Sequence, residues 1–428
     1  MDRRKRRTEA ILAGGILAAL SASFLYHALR PEQRKLTYLL DHQAGVDDPE
    51  FHRTVNTLFG LGLSDGHRLQ TLKNGDEIFP AMLSAIAAAE QSINFETYIY
   101  WSGSIAWTFA KALAERARAG IKVKVLLDWA GSVPMKQELI DHMRKSGVQV
   151  ARFRQPHWYS LDRMNNRTHR KLMIVDGELG FTGGVGIADK WLGDARGPEE
   201  WRDNHYRIEG PAVAQMQSAF ADHWLEETGE LLRGPLYFPQ LEKCGPIPAQ
   251  LVRNAPYRGS QSMHLVFMLA ISAARRHIRI SAAYFVPDDL TIAHLLAARR
   301  RGVEVDIIVP GRHIDKSYVR EASRRLWGPL LEAGVRIYEF TPSMYHCKLL
   351  IIDESWSSIG SSNFDERSFR LNDEANLIVY DHAFARDQIT LFEADKRRSR
   401  EYNFHQWRRR PWTEKASEEA WNLLRAHL

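Results

Sequence analysis

Two histidine–lysine pairs open closely matching segments, one in each half of the 428-residue chain. Both segments read H-x-K-x4-D-x6-G-[SG]. A single H-x-K triplet arises easily by chance, whereas two copies with the same internal spacing indicate a shared function. The positions that define the pattern are His169, Lys171 and Asp176 in the first copy and His346, Lys348 and Asp353 in the second.

Each pair suits chemistry on a phosphate ester. A run of four apolar residues, 172–175 or 349–352, follows each lysine and predicts a buried strand. Since alternate residues of a strand share a face, the histidine and the lysine two positions later point to the same side. The ammonium group neutralises a phosphate oxygen, while the imidazole attacks phosphorus or transfers protons. Two facing pairs therefore predict a two-step displacement through a phosphohistidine.

The other residues of the two segments have weaker claims to the chemistry. A metal centre is disfavoured, because a protonated lysine is a poor ligand and the nearby cysteine and carboxylates lack ligand spacing. Asp176 and Asp353, which follow the two strands, are counted among the catalytic candidates with the histidines and lysines, and they either hold strand-end backbone or pair with the opposite lysine. Cys347 stands between His346 and Lys348, so its side chain should face the other side of the strand.

The segments that precede the motifs predict β-α-β units, which place parallel strands side by side. The predicted strand, helix and strand are 92–100, 105–118 and 123–127 in the first half, and 277–286, 290–301 and 303–309 in the second. Gly120 and Gly302, which end the two helices, are 182 positions apart, and the two motif histidines are 177 apart. These near-equal offsets indicate an internal duplication at the scale of a domain.

The N-terminus predicts attachment to a membrane. Residues 1–9 form a basic flank with five Lys and Arg side chains, and residues 10–29 carry no formal charge. Twenty residues of helix span about 30 Å, which is the thickness of the hydrocarbon core. The alternative is a cleaved signal peptide, since the small residues 21–23 follow a shorter apolar run. The positive-inside rule leaves the N-terminus in the cytoplasm and the large domains outside it.

The remaining composition is that of a globular protein, with 44% hydrophobic and 26% charged residues. The net charge of +6 suits an anionic partner, either a lipid surface or nucleic acid. The predicted divisions are a connector at 30–68, a first domain at 69–235, a proline-rich linker at 236–260, a second domain at 261–396 and a basic, aromatic tail at 397–428. Residues 74–76 predict a turn. The tail either packs on the second domain or faces anionic lipid.

Longer matches around the two motifs resemble the phospholipase D superfamily and, within it, the bacterial cardiolipin synthases. The matching segments are NGDEIFPAM (74–82), FETYIY (95–100), RTHRKLMIVDGELGFTGG (167–184), WRDNHYRIEGPAV (201–213) and GSSNFDERSFRLNDE (360–374). The resemblance implies an α/β protein with a duplicated phospholipase D-like fold: two mixed β-sheet domains with flanking helices and pseudo-twofold symmetry. One active site would lie at their interface. With an N-terminal transmembrane helix, the protein would be a single-pass protein of the bacterial inner membrane.

The resemblance also implies a role for individual residues. The nucleophile would be His169 and the general acid His346, with Lys171 and Lys348 on phosphate oxygens, Ser361 and Asn363 as further phosphate contacts, and Asp203 and Glu374 as the carboxylates that orient the histidines. One position departs from the family pattern. Gly186 stands where the first copy should carry asparagine, so a phosphate contact is lost or comes from backbone N–H groups.

The reaction implied by the resemblance transfers a phosphatidyl group from one phosphatidylglycerol to a second, giving cardiolipin and glycerol. The expected partners are this anionic phospholipid and a membrane, without nucleic acid and without a cofactor, and the oligomeric state stays open. Two alternatives use the same residues: hydrolysis to phosphatidic acid, and a phosphodiesterase reaction on nucleic acid. The predicted membrane segment and the lack of a dense basic stripe argue against nucleic acid.

Overall fold

The computed structural model describes residues 44–60, 62–155, 165–256 and 261–422, together with the isolated positions Ser21 and Leu40. The apolar segment at 10–29, which the sequence predicts to span a membrane, lies outside these ranges apart from Ser21. Within the described ranges, no helix combines the length and the apolar character needed to cross a bilayer.

The first half builds a mixed sheet with helices packed on it. Its strands are β1 (Ser64–Lys73), β2 (Ser92–Thr97), β3 (Lys122–Asp128), β4 (Gln149–Phe153), β5 (Leu172–Val175), β6 (Leu179–Gly183) and β7 (Asn204–Glu209). The helices up to the end of this half are Pro49–Phe59, Asn74–Ala88, Ser104–Arg118, Gln137–Lys145 and Ala212–Thr228, with a 3₁₀ turn at Asp189–Trp191. The predicted β-α-β unit is confirmed, because β2 and β3 pair in parallel across the 104–118 helix.

The second half repeats this arrangement. Its strands are β8 (Ile247–Asn254), β9 (His277–Ala282), β10 (Phe285–Val286), β11 (Glu304–Pro310), β12 (Arg336–Phe340), β13 (Lys348–Ile352), β14 (Trp356–Gly360), β15 (Phe364–Asp365), β16 (Glu374–Tyr380) and β17 (Ser399–Tyr402). Its helices are Ser262–Ala273, Asp289–Arg300, Ser317–Glu332, Glu366–Arg370, His382–Arg397, Phe404–Arg408 and Trp412–Asn422. The second parallel pairing, β9 with β11, is confirmed as well.

The two halves join edge to edge in one sheet of fifteen strands. Its order is β17-β12-β11-β9-β13-β14-β16-β8-β1-β7-β6-β5-β2-β3-β4, so that the second half mirrors the first about the central β8–β1 pair. The 236–260 segment, predicted as a linker, therefore contains a central strand, and β1 starts before the predicted boundary at 69. Pro248 fits because it lies at the start of β8, where the pairing with β1 is irregular.

Residues 74–76 do not form the predicted turn. They are the first turn of the 74–88 helix, and Asn74 has a left-handed φ of 52°. A Cβ on Gly75 would lie 2.0 Å from the Trp191 carbonyl oxygen, so only glycine allows this close approach. The amide oxygen of Asn74 accepts a hydrogen bond from the Asp203 backbone N–H at 3.2 Å. Tertiary contacts with the 191–203 region thus override the local turn signal.

The strands that follow the two histidine–lysine pairs are covered on both faces. In β5, Leu172 and Ile174 join the apolar cluster shared by both halves, while Met173 and Val175 join the core of the first half. In β13, Leu349 and Ile351 contribute to the shared cluster and the alternate residues to the core of the second half. Burial on both faces explains why both runs are apolar throughout rather than alternating.

The described part of the C-terminal tail packs on the second half. Strand β17 pairs antiparallel with β12 at the edge of the sheet, and the Trp407 indole donates to the Arg324 carbonyl at 2.7 Å. The Arg410 guanidinium pairs with buried Glu418 at 2.8 Å. Trp412 remains 78% exposed. The packed alternative therefore holds for most of these residues, with one aromatic side chain left facing solvent.

Candidate active site

His169 and Glu374 form a buried pair that joins the two halves. The histidine Nδ1 lies 3.0 and 3.1 Å from the two carboxylate oxygens. Because an ionised carboxylate only accepts hydrogen bonds, Nδ1 donates and Nε2 carries the lone pair. The Ser361 hydroxyl donates to the same carboxylate, and the edge of the Tyr98 ring packs on the imidazole at 5.0 Å between centroids. The imidazole is thus fixed in one tautomer and one orientation.

His346 and Asp203 form the equivalent pair in the opposite direction. The histidine Nδ1 donates to Asp203 Oδ2 at 2.7 Å, and Asp203 is fully buried. Two further donors hold this carboxylate: the Trp191 indole N–H at 3.0 Å and the Asn204 backbone N–H at 2.8 Å. The carboxylate of each histidine therefore comes from the other half of the chain. Neither half could orient its own histidine alone.

Backbone bridges between the halves fix this crosswise arrangement. The His169 N–H donates to the Asp373 carbonyl at 2.8 Å, and the His346 N–H donates to the Arg202 carbonyl at 2.7 Å. Asp373 and Arg202 directly precede the two orienting carboxylates, so each histidine backbone is tied to the residue beside its own partner. The two bridges are equivalent under the duplication, and they set the distance between the halves at the site.

The two lysines lie beside their histidines, as the strand parity predicts. Lys171 Nζ donates to the His169 carbonyl at 2.7 Å, and Lys348 Nζ donates to the His346 carbonyl at 2.6 Å. Burial, together with the positive charge of Lys348, lowers the pKa of Lys171 to about 7. Burial likewise lowers the pKa of Lys348. The two ammonium groups repel each other in a buried site, and a bound anion would relieve that repulsion.

The environment of both histidines lowers their pKa and so favours the neutral imidazole in the free site. Burial is the main cause that lowers the pKa of His169 to about 4, and the Lys171 ammonium acts in the same direction while Glu374 opposes it. Burial and the neighbouring Lys348 lower the pKa of His346 to about 3. A neutral imidazole with Nδ1–H held by a carboxylate presents a nucleophilic Nε2.

The middle residues of the two triplets face away from this chemistry. The Arg170 guanidinium donates to the Ala219 carbonyl at 2.9 Å on the helix behind the sheet. Cys347 is buried in an apolar cluster that includes Tyr345 and Phe392. Burial raises the pKa of the Cys347 thiol. The predicted opposite orientation of Cys347 is therefore confirmed.

Asp176 and Asp353, placed among the catalytic candidates, hold backbone at the far ends of β5 and β13. Asp176 accepts from three consecutive backbone N–H groups, of residues 90, 91 and 92, at 2.7–2.9 Å. Asp353 accepts from those of residues 275, 276 and 277 at 2.7–3.1 Å. Four residues lie between each lysine and its aspartate, so the two Cα atoms are five steps apart along the strand, about 16 Å. The structure thus supports the backbone role and not pairing with the opposite lysine.

Ser361 and Asn363, expected on the phosphate, occupy different places. Ser361 is fully buried, and its hydroxyl is committed to Glu374. Asn363 lies on the wall of the cavity beside the histidines, where an amide NH₂ group can donate to a phosphate oxygen. The geometry therefore makes Ser361 a positioning residue for Glu374 and leaves Asn363 as the candidate phosphate contact.

The glycine-rich segment of the first copy has no room for the missing side chains. A Cβ on Gly186 would lie 2.8 Å from Cβ of Ile99, and a Cβ on Gly184 would lie 2.2 Å from Asp203 Oδ1. Ile99 and Asp203 thus fill the space that the second copy gives to asparagine and serine side chains. The sequence predicts that the two motif copies differ at Gly186, and the structure gives the reason: Ile99 leaves no room for a side chain at this position.

The two histidines open into one cavity of about 620 Å³, within the usual range for ligand sites. One part of its wall is charged or polar and includes Lys171, Asn363, Arg167 and Arg367. Another part is apolar or aromatic and includes Trp101, Val133, Pro134 and Val319, with Val133 69% exposed at the surface. The lining also includes Asp315 and Asp365, and its combination of cationic and apolar side chains suits a phosphate ester that carries hydrocarbon chains.

Several supporting residues have no signal in motif spacing. Asp373 binds Arg154 at 3.1 Å and His223 at 3.3 Å, while Arg202 binds Asp395 at 2.9 Å. These buried pairs fix the backbone bridges described above. Trp191, which holds Asp203, lies seven positions beyond the first motif. The three ion pairs join residues far apart in the chain, so only the segment matches around WRDN and RLNDE could have drawn attention to their neighbourhood.

A duplicated α/β chain whose halves bring paired histidine–lysine motifs to one cavity, with crosswise carboxylates, has the architecture of phospholipase D-like enzymes. The family model described as "Cardiolipin synthase, PLD-like domain" matches residues 82–224 and 268–396. These ranges contain both histidine–lysine pairs and both orienting carboxylates. The chain belongs to this family and is an enzyme of the phospholipase D type.

Curated relatives extend the match over most of the chain. "Cardiolipin synthase 1" of Bacillus cereus is 32% identical over 391 residues, covering 89% of this chain and 76% of the relative. "Cardiolipin synthase" of Geobacillus kaustophilus is 34% identical over 358 residues, with coverage of 82% and 71%. "Cardiolipin synthase A" of Pseudomonas fluorescens is 34% identical over 336 residues, with coverage of 78% and 70%.

Solved structures confirm the fold. The phosphatidylserine synthase of Haemophilus influenzae Rd KW20 superposes with a TM-score of 0.68 at 14% identity, covering 89% of this chain and 100% of that chain. The polyphosphate kinase of Porphyromonas gingivalis gives a TM-score of 0.50 at 14% identity, with coverage of 77% and 50%. At such low identity these neighbours bear on the fold alone.

Proposed function

We propose that the protein is a phosphatidyltransferase that converts two phosphatidylglycerol molecules into cardiolipin and glycerol through a phosphohistidine. The observation that carries this proposal is the pair of histidines, each oriented by a carboxylate of the opposite half, on one cavity whose lining includes cationic and apolar side chains. Membership of the cardiolipin synthase family supports the choice of substrate. The phosphohistidine rests on the chemistry of the residues.

In the first step, Nε2 of one histidine attacks phosphorus, and the bond from phosphorus to the glycerol oxygen breaks. The other histidine gives its proton to that oxygen, so glycerol leaves neutral. Two ammonium groups and two carboxylates balance each other in the free site, and a phosphodiester adds one negative charge. One imidazolium then restores neutrality, so substrate binding itself favours the protonated general acid.

In the second step, the free hydroxyl of another phosphatidylglycerol attacks the phosphohistidine. Its proton returns to the histidine that acted as acid, the phosphorus–nitrogen bond breaks, and cardiolipin forms. If water attacked instead, the product would be phosphatidic acid. The apolar side chains in the cavity lining, among them Trp101 and Val133, favour a lipid alcohol over water, because acyl chains that bind there would exclude solvent from the phosphorus.

The decisive experiment supplies labelled phosphatidylglycerol in liposomes and follows lipid products and free glycerol together. Cardiolipin with an equal amount of glycerol supports the transferase, whereas phosphatidic acid with glycerol would identify a hydrolase. His169→Ala and His346→Ala should each lower turnover by more than about a thousand-fold. The control is His382→Ala, whose side chain is 61% exposed on the surface. Near-normal turnover in either motif variant would refute the two-histidine mechanism.

The order of the two histidines can be tested on the same substrate. We assign the nucleophile to His169, with His346 as the acid and base. In that case His346→Ala retains the nucleophile, and a reaction with phosphorus-labelled lipid, quenched in alkaline detergent because a phosphorus–nitrogen bond is acid-labile, should show covalent label on the protein. His169→Ala should show none. Label retained in His169→Ala and absent from His346→Ala would reverse the assignment.

Attachment to a membrane through residues 10–29 belongs to the same proposal. A single uncharged span after a basic flank would hold the catalytic halves beside their lipid, on the outer face of the inner membrane. Alkaline carbonate should leave the full chain in the membrane fraction, and external protease should reach the catalytic domains in spheroplasts. Release by carbonate would refute the span, and protection from protease would reverse its orientation.

A further inference from the structure

Besides its histidine, each orienting carboxylate accepts a hydrogen bond from one further side chain, and the two side chains are of different chemical types. In the second motif copy, Ser361 of the G-S sequence donates its hydroxyl to Glu374. The first copy reads Gly183-Gly184 and has no hydroxyl at that position. There the donor to the carboxylate is the indole N–H of Trp191, 3.0 Å from Asp203 Oδ2.

The register of the sheet shows that these positions are equivalent. Gly183 pairs with His205 between β6 and β7, and Gly360 pairs with Asn376 between β14 and β16. Each orienting carboxylate stands two residues before these partners. Gly184 therefore corresponds to Ser361, and Trp191 enters the site from a different segment of the chain.

Gly184 and Trp191 depend on each other. A side chain at position 184 would begin 2.2 Å from Asp203 Oδ1, so Asp203 occupies the space where a serine would stand. The shorter aspartate, in place of a glutamate, sits against the glycine and leaves its Oδ2 within reach of the indole. The sequence change from G-S to G-G is thus compensated by a donor from outside the motif.

The surroundings hold Trp191 firmly enough to orient a carboxylate. The indole is fully buried and ends the 3₁₀ turn at 189–191, whose Asp189 caps the 104–118 helix through the Ser104 and Ile105 N–H groups at 2.9 Å. Its ring also packs edge-on against the His346 imidazole, with 5.2 Å between centroids. One side chain therefore contacts both members of the Asp203–His346 pair.

We propose that Trp191 is a positioning residue that replaces the motif serine of the first half: its N–H fixes Asp203, and Asp203 fixes the tautomer of His346. This inference rests on the proposed function only in that phosphatidyl transfer reports the rate. The consequence is a functional asymmetry between the two histidines. His346 is held by an aromatic side chain and His169 by a hydroxyl.

The test is Trp191→Phe in the full-length protein, which removes the N–H donor and keeps an aromatic ring in the core. A hydrogen bond to a charged group contributes about 1.5–3 kcal/mol. Because 1.36 kcal/mol is a factor of ten in rate, kcat should fall about 10- to 100-fold with little change in KM. The acid limb of the kcat profile should move to higher pH, because Asp203 loses a donor that stabilises its anion. Ser361→Ala should move the same limb in the same direction through Glu374.

A matched control is Trp327→Phe, which removes another buried indole donor, to the Ser323 hydroxyl at 2.9 Å, in the apolar core of the second half. It should leave kcat and the pH profile unchanged. Gly184→Ala should displace Asp203 and lower kcat even if Trp191→Phe fails to fold. Its own control is Gly197→Ala, where an added Cβ meets no atom of the described residues within 4 Å.

A readout independent of substrate separates this proposal from the proposed function. With 15N-labelled histidine, the Nδ1–H resonance of His346, assigned by its loss in His346→Ala, should shift or broaden in Trp191→Phe and not in Trp327→Phe. If that resonance and kcat both match wild type, the proposal is wrong. If kcat falls while the resonance is unchanged, Trp191 contributes only core packing, and the proposal is equally refuted. The kcat measurement and the resonance both test the proposal even if the acceptor of the phosphatidyl group proves to be water.

Discussion

The catalytic rate should depend far more on the negative charge of Glu374 than on the shape of its side chain. The substitution Glu374→Gln keeps the length of the side chain and an oxygen that can accept from Ser361, but it removes the negative charge beside His169. Two unit charges 3.0 Å apart interact by about 5.5 kcal/mol at an effective dielectric constant of 20. Each 1.36 kcal/mol is a factor of ten in rate, so the upper limit is about four orders of magnitude.

The charge is needed when His169 carries positive charge, which happens on phosphorylation at Nε2 with Nδ1–H retained. A glutamine can also turn its NH₂ group towards Nδ1 and favour the wrong tautomer, as occurs when the aspartate of a catalytic triad is replaced by asparagine. We therefore expect kcat to fall by about 10³- to 10⁴-fold. KM should change little, because Glu374 is fully buried behind the imidazole.

The assay is the initial rate of glycerol release from phosphatidylglycerol liposomes, with a single-turnover measurement of protein labelling in case product release limits kcat. Asp203→Asn should produce a loss of similar size at the other histidine. The control is Glu339→Gln, a carboxylate paired with Arg320 on an outer strand, which should retain wild-type turnover. A kcat of Glu374→Gln within ten-fold of wild type, in a protein with an unchanged melting temperature, would refute the crosswise orientation mechanism.

Three further outcomes follow from the geometry. Cys347→Ala should retain kcat, because the thiol packs behind the strand, and activity lost on alkylation at Cys347 alone would contradict this. Asp176→Ala and Asp353→Ala should each destabilise the fold by about 1–3 kcal/mol in chemical denaturation, since three backbone donors lose their acceptor, while kcat per folded molecule is kept. Lys171→Arg should move the basic limb of kcat/KM, expected near pH 7, to higher pH because guanidinium stays protonated; an unmoved limb would assign it to another group.

Local pattern predicted a large part of the fold. The β-α-β units and the two buried strands follow from apolar runs and glycine-ended helices, which are short-range signals. The predicted turn at 74–76 and the predicted linker at 236–260 differ from the structure for one shared reason. Both segments pack against residues more than a hundred positions away, and those contacts outweigh the local preference for a turn or a loop.

The sequence by itself determined the reactive groups of this protein. The doubled spacing identified His169, Lys171, His346 and Lys348, because strand periodicity alone puts each imidazole beside its ammonium. The tertiary structure decided how those groups are held: Glu374 is 205 positions from His169, and Asp203 is 143 from His346. Contacts over such separations exist only once the two halves share one sheet, so motif spacing could supply the two histidines, but only folding supplies the carboxylates that orient them.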